Sequence, residues 1–329
     1  MPKDIMKQLS EGLVLGDGGY IRELGKRGVV KEGPFTPEVC LNYPHSVKEL
    51  HWEFLNCGSE VLQAMAFYGS RSHLEYIGLG DRVTEVNKAA VKLAREVAGS
   101  KALVAGGLST TWRYVEGDSE ANDGVKQQFK EQLEIQVDEG VDFVISEFIF
   151  DLGEALIALE VTKEMGVPAM VTLTFEGSLK TRDGFTPAQC AKKLASEGAD
   201  IVGTNCGRGP KGILPVVRQM VKAVDIPVAV QAASFRTTKK YPAFFGFPGF
   251  PDAMEPHMCT RFDMAESAKA CIDMGVKYLG GCCDTTPTMI REIGRTIGKV
   301  APEDRSYGLN YDRPTSITEH YKHKHGQDY

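Results

Sequence analysis

Eight short apolar runs, each followed by small or polar residues and then by a helical pattern, constrain this 329-residue chain more than any other feature. They lie at 12–19, 60–67, 102–108, 141–148, 168–175, 200–206, 227–233 and 276–281. Most are continuous rather than alternating, as expected of parallel strands covered on both faces. Helical patterns at 84–99, 187–199 and 263–275 each carry a glycine near the end, placed to cap the helix. Eight such units predict an α/β chain with a single-domain (β/α)8 TIM barrel over residues 1–300 and a short polar tail over 301–329. The residues that end the runs argue the same way. Asp17, Tyr68, Glu147, Asn205, Cys206, Gln231, Cys282 and Cys283 fall at or just past predicted strand ends. A closed barrel gathers those ends at one mouth, whereas an open sheet spreads them along an edge.

A net charge of −6 gives no basic footprint for nucleic acid or an anionic membrane. No apolar run reaches the roughly 18 residues of a membrane span, and the first residues lack the apolar centre of a signal peptide. The expected location is cytoplasmic, where Cys40, Cys57, Cys190, Cys206, Cys259, Cys271, Cys282 and Cys283 stay reduced. Any one of them reads first as a small buried hydrophobe.

Three of the cysteines ask for more. Cys206 closes the sixth predicted strand, and the adjacent Cys282 and Cys283 close the eighth behind two glycines. On a regular strand neighbouring side chains point to opposite faces, so the pair can act together only if the chain turns there. Three thiolates can occupy three corners of a tetrahedral zinc ion and leave the fourth for a reactant. Soft sulfur ligands favour zinc over magnesium or calcium. The spacing alone is a weak signal, since no C-x-x-C is present; the placement at two strand ends carries it. Three thiolates around Zn²⁺ leave one negative charge, which suits a bound substrate thiolate better than hydrolysis.

Phe35, Phe67, Tyr68 and Phe148 offer aromatic faces for a quaternary ammonium or sulfonium group, although each alone reads first as core packing. Residues 239–258, rich in Pro, Gly and Phe, form a long connection that serves either as a lid or as a subunit contact. The second reading leaves a homo-oligomer open.

The segments "GDGGY" (16–20), "KRG" (26–28), "GPFTPE" (33–38), "FYGS" (67–70), "ALVAGGLS" (102–109), "VDFVISE" (141–147), "VGTNC" (202–206), "MEP" (254–256) and "GGCC" (280–283) resemble the zinc-dependent homocysteine S-methyltransferase family over residues 10–300. The N-terminal segments are most similar to its betaine–homocysteine methyltransferase branch. The resemblance implies a (β/α)8 barrel with Zn²⁺ on Cys206, Cys282 and Cys283. It implies that Asp17 and Glu147 bind the homocysteine ammonium and that Gly18 gives a backbone N–H to its carboxylate. It assigns Phe35, Phe67 and Tyr68 to the methyl-donor pocket, and Glu255 to loop ordering or substrate contact. Three positions depart from the betaine pattern. Phe148 stands where a tyrosine is usual, Ala64 where a threonine would contact homocysteine, and Asp284 where glycine is common. The sequence also ends soon after the barrel, without the C-terminal arm that vertebrate betaine enzymes use in assembly.

The resulting expectation is transfer of a methyl group from an onium donor to the homocysteine thiolate, giving methionine. Glycine betaine is the first choice of donor and dimethylsulfoniopropionate the next. The alternatives are S-methylmethionine as donor, demethylation onto a different thiol, and a non-enzymatic zinc-binding barrel that recruits a partner. The expected partners are thus homocysteine and a small onium compound, with no nucleic acid and no membrane.

Overall fold

The computed structural model describes residues 4–31 and 36–300. All eight expected strands form: β1 (Val14–Leu15), β2 (Val61–Gln63), β3 (Leu103–Ser109), β4 (Phe143–Ile149), β5 (Ala169–Leu173), β6 (Ile201–Asn205), β7 (Val228–Ala232) and β8 (Tyr278–Gly281). They make one parallel sheet in the order β1-β8-β7-β6-β5-β4-β3-β2. The seam between β1 and β2 is bridged rather than laddered. The Glu60 N–H donates to the Leu15 carbonyl at 2.7 Å, and the Leu15 N–H to the Glu60 carboxylate at 2.9 Å. The Ser59 hydroxyl adds a bond to the Gly16 carbonyl at 3.1 Å. The sheet is thereby a (β/α)8 barrel, with helices in every crossover.

Every strand residue except Phe148 is buried, which is why the runs read as continuous. Period-two geometry still sorts them. Val14, Val61, Leu103, Phe143, Ile145, Met170, Ile201, Ala229 and Tyr278 fill the barrel, while Leu15, Leu62, Val104, Val144, Val171, Val202, Val230 and Leu279 pack against the helices. Helix α1 (Ile5–Glu11) inserts Ile5 and Leu9 into the inner cluster and plugs the end of the barrel away from the strand C-termini. Farther along the same inward faces the lining turns polar, with Gln63, Glu147, Asn205 and Gln231. That change of character marks the mouth that holds the site.

The helix ends agree with the glycine signals: Gly99, Gly198 and Gly275 adopt φ values of 47°, 92° and 100°. The first two strands, in contrast, are much shorter than the runs 12–19 and 60–67. In the first, the chain leaves the sheet at Gly16–Gly19 to pass against the β8 turn. A side-chain carbon on Gly18 would lie 2.2 Å from the Thr285 carbonyl oxygen, and one on Gly19 2.5 Å from that of Cys282. Only glycine permits that approach. Among the described residues no helix is long and apolar enough to cross a membrane. The tail 301–329 lies outside the described residues.

Candidate functional site

The adjacent cysteines do share a side, because β8 ends at Gly281 and the chain turns at once. The Thr285 N–H returns to the Cys282 carbonyl at 3.0 Å, and Asp284 within the turn takes φ 59°. Cys206, just past β6, is fixed by its N–H to the Gln231 carbonyl at 2.9 Å, with φ 53°. The three sulfurs lie within 4.8 Å of one another, Cys206 and Cys283 at 3.6 Å. Among the described residues they are the one cluster of potential metal ligands that converges in this way. Cys283 is held well below the ordinary thiol range because Cys206 and Cys282 both hydrogen-bond to it. Burial pushes Cys206 up, and the bonds to Cys206 and Cys283 push Cys282 up. Three thiolates cannot coexist here without a cation to neutralise them. The other five cysteines are buried single thiols, as their type suggests.

The sulfurs line a cavity of about 380 Å³ at the barrel mouth. Glu147 is on its wall. Its carboxylate accepts the Gln63 side-chain amide at 2.7 Å and the Asn205 amide at 3.2 Å. Burial raises its pKa to about 8, helped by the charges of Asp17 and Cys283. Asp17 is 1% exposed and stands behind that wall. Its Oδ2 accepts the Gln63 backbone N–H at 2.7 Å and the Tyr20 hydroxyl at 2.6 Å. Burial raises its pKa to about 6 against the lowering effect of those bonds. Gly18 lines the cavity, and among the described residues no backbone acceptor takes its N–H.

Much of the remaining wall is aromatic. Phe148 is its hub, with ring centroids 5.7 Å from Phe67, 6.4 Å from Tyr68 and 5.8 Å from Phe245. Its N–H donates to the Asn205 side-chain oxygen at 3.1 Å, so one amide orients both Glu147 and Phe148. Tyr68 stacks on His73 at 4.4 Å and 22°. The 239–258 connection closes this side, bringing Phe244, Phe245, Phe250 and Pro251 to the cavity. Phe245 was not singled out by the sequence, since a Phe-rich loop does not reveal which ring turns inward.

A second feature was invisible in the sequence. Tyr68, Trp112, Phe148, Cys206 and Asp284 are the non-glycine residues with positive φ among the described residues, and all lie beyond or late in barrel strands. Such conformations are costly for bulky side chains and gather where a site needs them. For Phe148 the sequel is a register shift between Ser146 and Ile149 in the pairing of β4 with β5. Asp284 shows why an aspartate can replace glycine in its turn. Its carboxylate, fully buried, pairs with both Arg22 and Lys26 of helix α2 (Ile21–Lys26), and Arg22 itself reaches the cavity wall.

One expected site residue, Glu255, does not line the cavity. Glu255 lies in a short 3₁₀ turn, Glu255–His257, and is exposed, while its neighbour Met254 takes the buried position. Phe35 lies outside the described residues.

A family model described as homocysteine S-methyltransferase matches residues 14–297. Betaine–homocysteine S-methyltransferase 1 of Xenopus laevis is 39% identical over 315 residues, covering 92% of this chain and 76% of the relative. The S-methylmethionine–homocysteine S-methyltransferase BHMT2 of Rattus norvegicus is 36% identical over 321 residues, covering 93% and 86%. The metallated form of the homocysteine methyltransferase MmuM from Escherichia coli superposes with a TM-score of 0.70 at 18% identity, over 86% of this chain and 95% of that one. At that identity the last comparison speaks to the fold.

Proposed function

This chain belongs to the homocysteine S-methyltransferase family, and from that premise we propose that it methylates homocysteine held on a zinc ion by Cys206, Cys282 and Cys283, with glycine betaine as the donor. The observation that carries the reading is the convergence of three sulfurs at a cavity that aromatic side chains also line. Zn–S bonds of about 2.3 Å in a tetrahedron put sulfurs about 3.8 Å apart, close to the 3.6 Å between Cys206 and Cys283. Bound there, the ion would keep the homocysteine sulfur as a thiolate at neutral pH.

The protein's own residues do the rest. Glu147 on the wall takes the substrate ammonium, with Asp17 adding negative charge from behind Gln63. The Gly18 N–H meets the carboxylate. Phe67, Tyr68, Phe148 and Phe245 face the onium group, whose positive charge is drawn to aromatic faces. Sulfur then attacks the methyl carbon, and the electron pair of the breaking C–N bond leaves with the amine. An anion and a cation become two neutral groups, so an apolar, water-poor cavity lowers the barrier relative to water. Holding both partners also removes the entropic cost of a bimolecular encounter. No general base is required, since the thiol proton has left before the transfer.

Dimethylsulfoniopropionate and S-methylmethionine stand next in line, because their sulfonium groups suit the same aromatic faces. The rat relative that uses S-methylmethionine by name supports the latter. A panel of glycine betaine, dimethylsulfoniopropionate, S-methylmethionine and a methylfolate, each assayed for methionine, tests the reading. Glycine betaine should give the highest kcat/KM. Preference for methylfolate would overturn the onium pocket.

A further inference from the structure

Behind Glu147 the hydrogen bonds continue without a break to a buried histidine. The Gln63 side-chain amide donates to Glu147, and the Gln63 backbone N–H to Asp17. The Tyr20 hydroxyl donates to Asp17 at 2.6 Å and lies 2.8 Å from Nδ1 of His51, on the helix Pro44–Asn56. A phenol owns one proton. With that proton on the Tyr20–Asp17 bond, His51 must donate through Nδ1. Its Nε2 is buried without a partner, which fits a neutral ring with a lone pair there. Burial, pushing the His51 pKa down to about 3, keeps the ring neutral. Both bonds to Asp17 converge on Oδ2, so the carboxylate is fixed from two elements at once.

We propose that His51 and Tyr20 are positioning residues for amino-acid recognition. They hold Asp17, through it the Gln63 backbone, and so aim the Gln63 amide that orients Glu147 toward the substrate ammonium. The inference rests on the reading above that Glu147 receives that ammonium.

Tyr20→Phe removes the hydroxyl and keeps the ring against Phe54 at 5.2 Å and His51 at 4.8 Å. His51→Leu removes the donor, and His51→Asn returns an amide N–H near the place of Nδ1. Steady-state kinetics on the zinc-loaded chain should show the homocysteine KM raised roughly three- to tenfold in Tyr20→Phe and His51→Leu, the size of one hydrogen bond's net contribution. The kcat and the donor KM should hold, zinc content should not change, and His51→Asn should recover most of the loss. Inhibition by 4-mercaptobutyrate, which has no ammonium, should be the same in all variants. If Tyr20→Phe leaves the homocysteine KM unchanged while Glu147→Gln raises it, the relay is structural only and the proposal fails. If Glu147→Gln also leaves it unchanged, the ammonium assignment is what fails. Should His51→Leu not fold, Tyr20→Phe decides alone.

Discussion

Replacing Glu147 with glutamine removes a charge from the cavity wall with little change of shape, and its effect can be worked out in advance. A hydrogen bond to a charged group contributes about 1.5–3 kcal/mol, or roughly 12- to 160-fold in affinity. The full amount is available only when Glu147 is ionised, and burial raises its pKa to about 8. A ligand ammonium selects the carboxylate, so below pH 8 binding must first expel a proton, and affinity tightens as pH rises. At pH 7 roughly one free molecule in eleven carries the carboxylate, so Glu147→Gln costs only about two- to fifteenfold. At pH 8 the same change costs roughly six- to eightyfold. Methionine is the ligand of choice, because its thioether brings no thiol proton to the count. Calorimetric titration between pH 6 and 8 should give a parent affinity that rises with pH and a Glu147→Gln affinity that stays nearly flat. Proton release at pH 7, read from buffers of different ionisation enthalpy, should vanish in the variant. Equal pH slopes in the two proteins would refute the assignment of the ammonium to Glu147.

Three further outcomes follow from the same geometry. Cys283→Ala should lose most of its zinc after dialysis against a weak chelator, by elemental analysis; one zinc per chain retained would remove that cysteine from the ligand set. Tyr68→Ala should raise the KM for an onium donor about 5- to 30-fold, corresponding to 1–2 kcal/mol of desolvated cation–π contact, while the homocysteine KM holds. An unchanged donor KM would place the donor elsewhere. Asp284→Asn removes the fully buried carboxylate that pairs with Arg22 and Lys26 and should cost about 3 kcal/mol in urea unfolding; an unaltered midpoint would mean the pairing contributes nothing.

The barrel was legible because its strands are covered on both faces and so announce themselves as apolar runs. The same logic placed Cys206, Glu147 and the Cys282–Cys283 pair at one mouth, since the C-terminal ends of parallel strands must converge there. What the sequence withheld is local backbone and long-range pairing. Nothing in a linear reading reveals that Tyr68, Trp112 and Phe148 take positive φ. The departure at Asp284 looked like an isolated substitution until the fold brought Arg22, 262 positions away, against it. The β1 run overstated its strand because Gly18 and Gly19 there serve the close approach of the chain to the β8 turn. Glu255 was carried in by its motif alone, and the 3₁₀ turn leaves it outside the cavity.

X-ray absorption at the zinc edge, before and after addition of homocysteine, addresses the central claim without relying on turnover. Three protein sulfurs with an exchangeable fourth position predict a first shell that gains one sulfur, reaching four at about 2.3 Å. A shell that already holds four protein ligands, or that does not change when homocysteine is bound, would contradict the account.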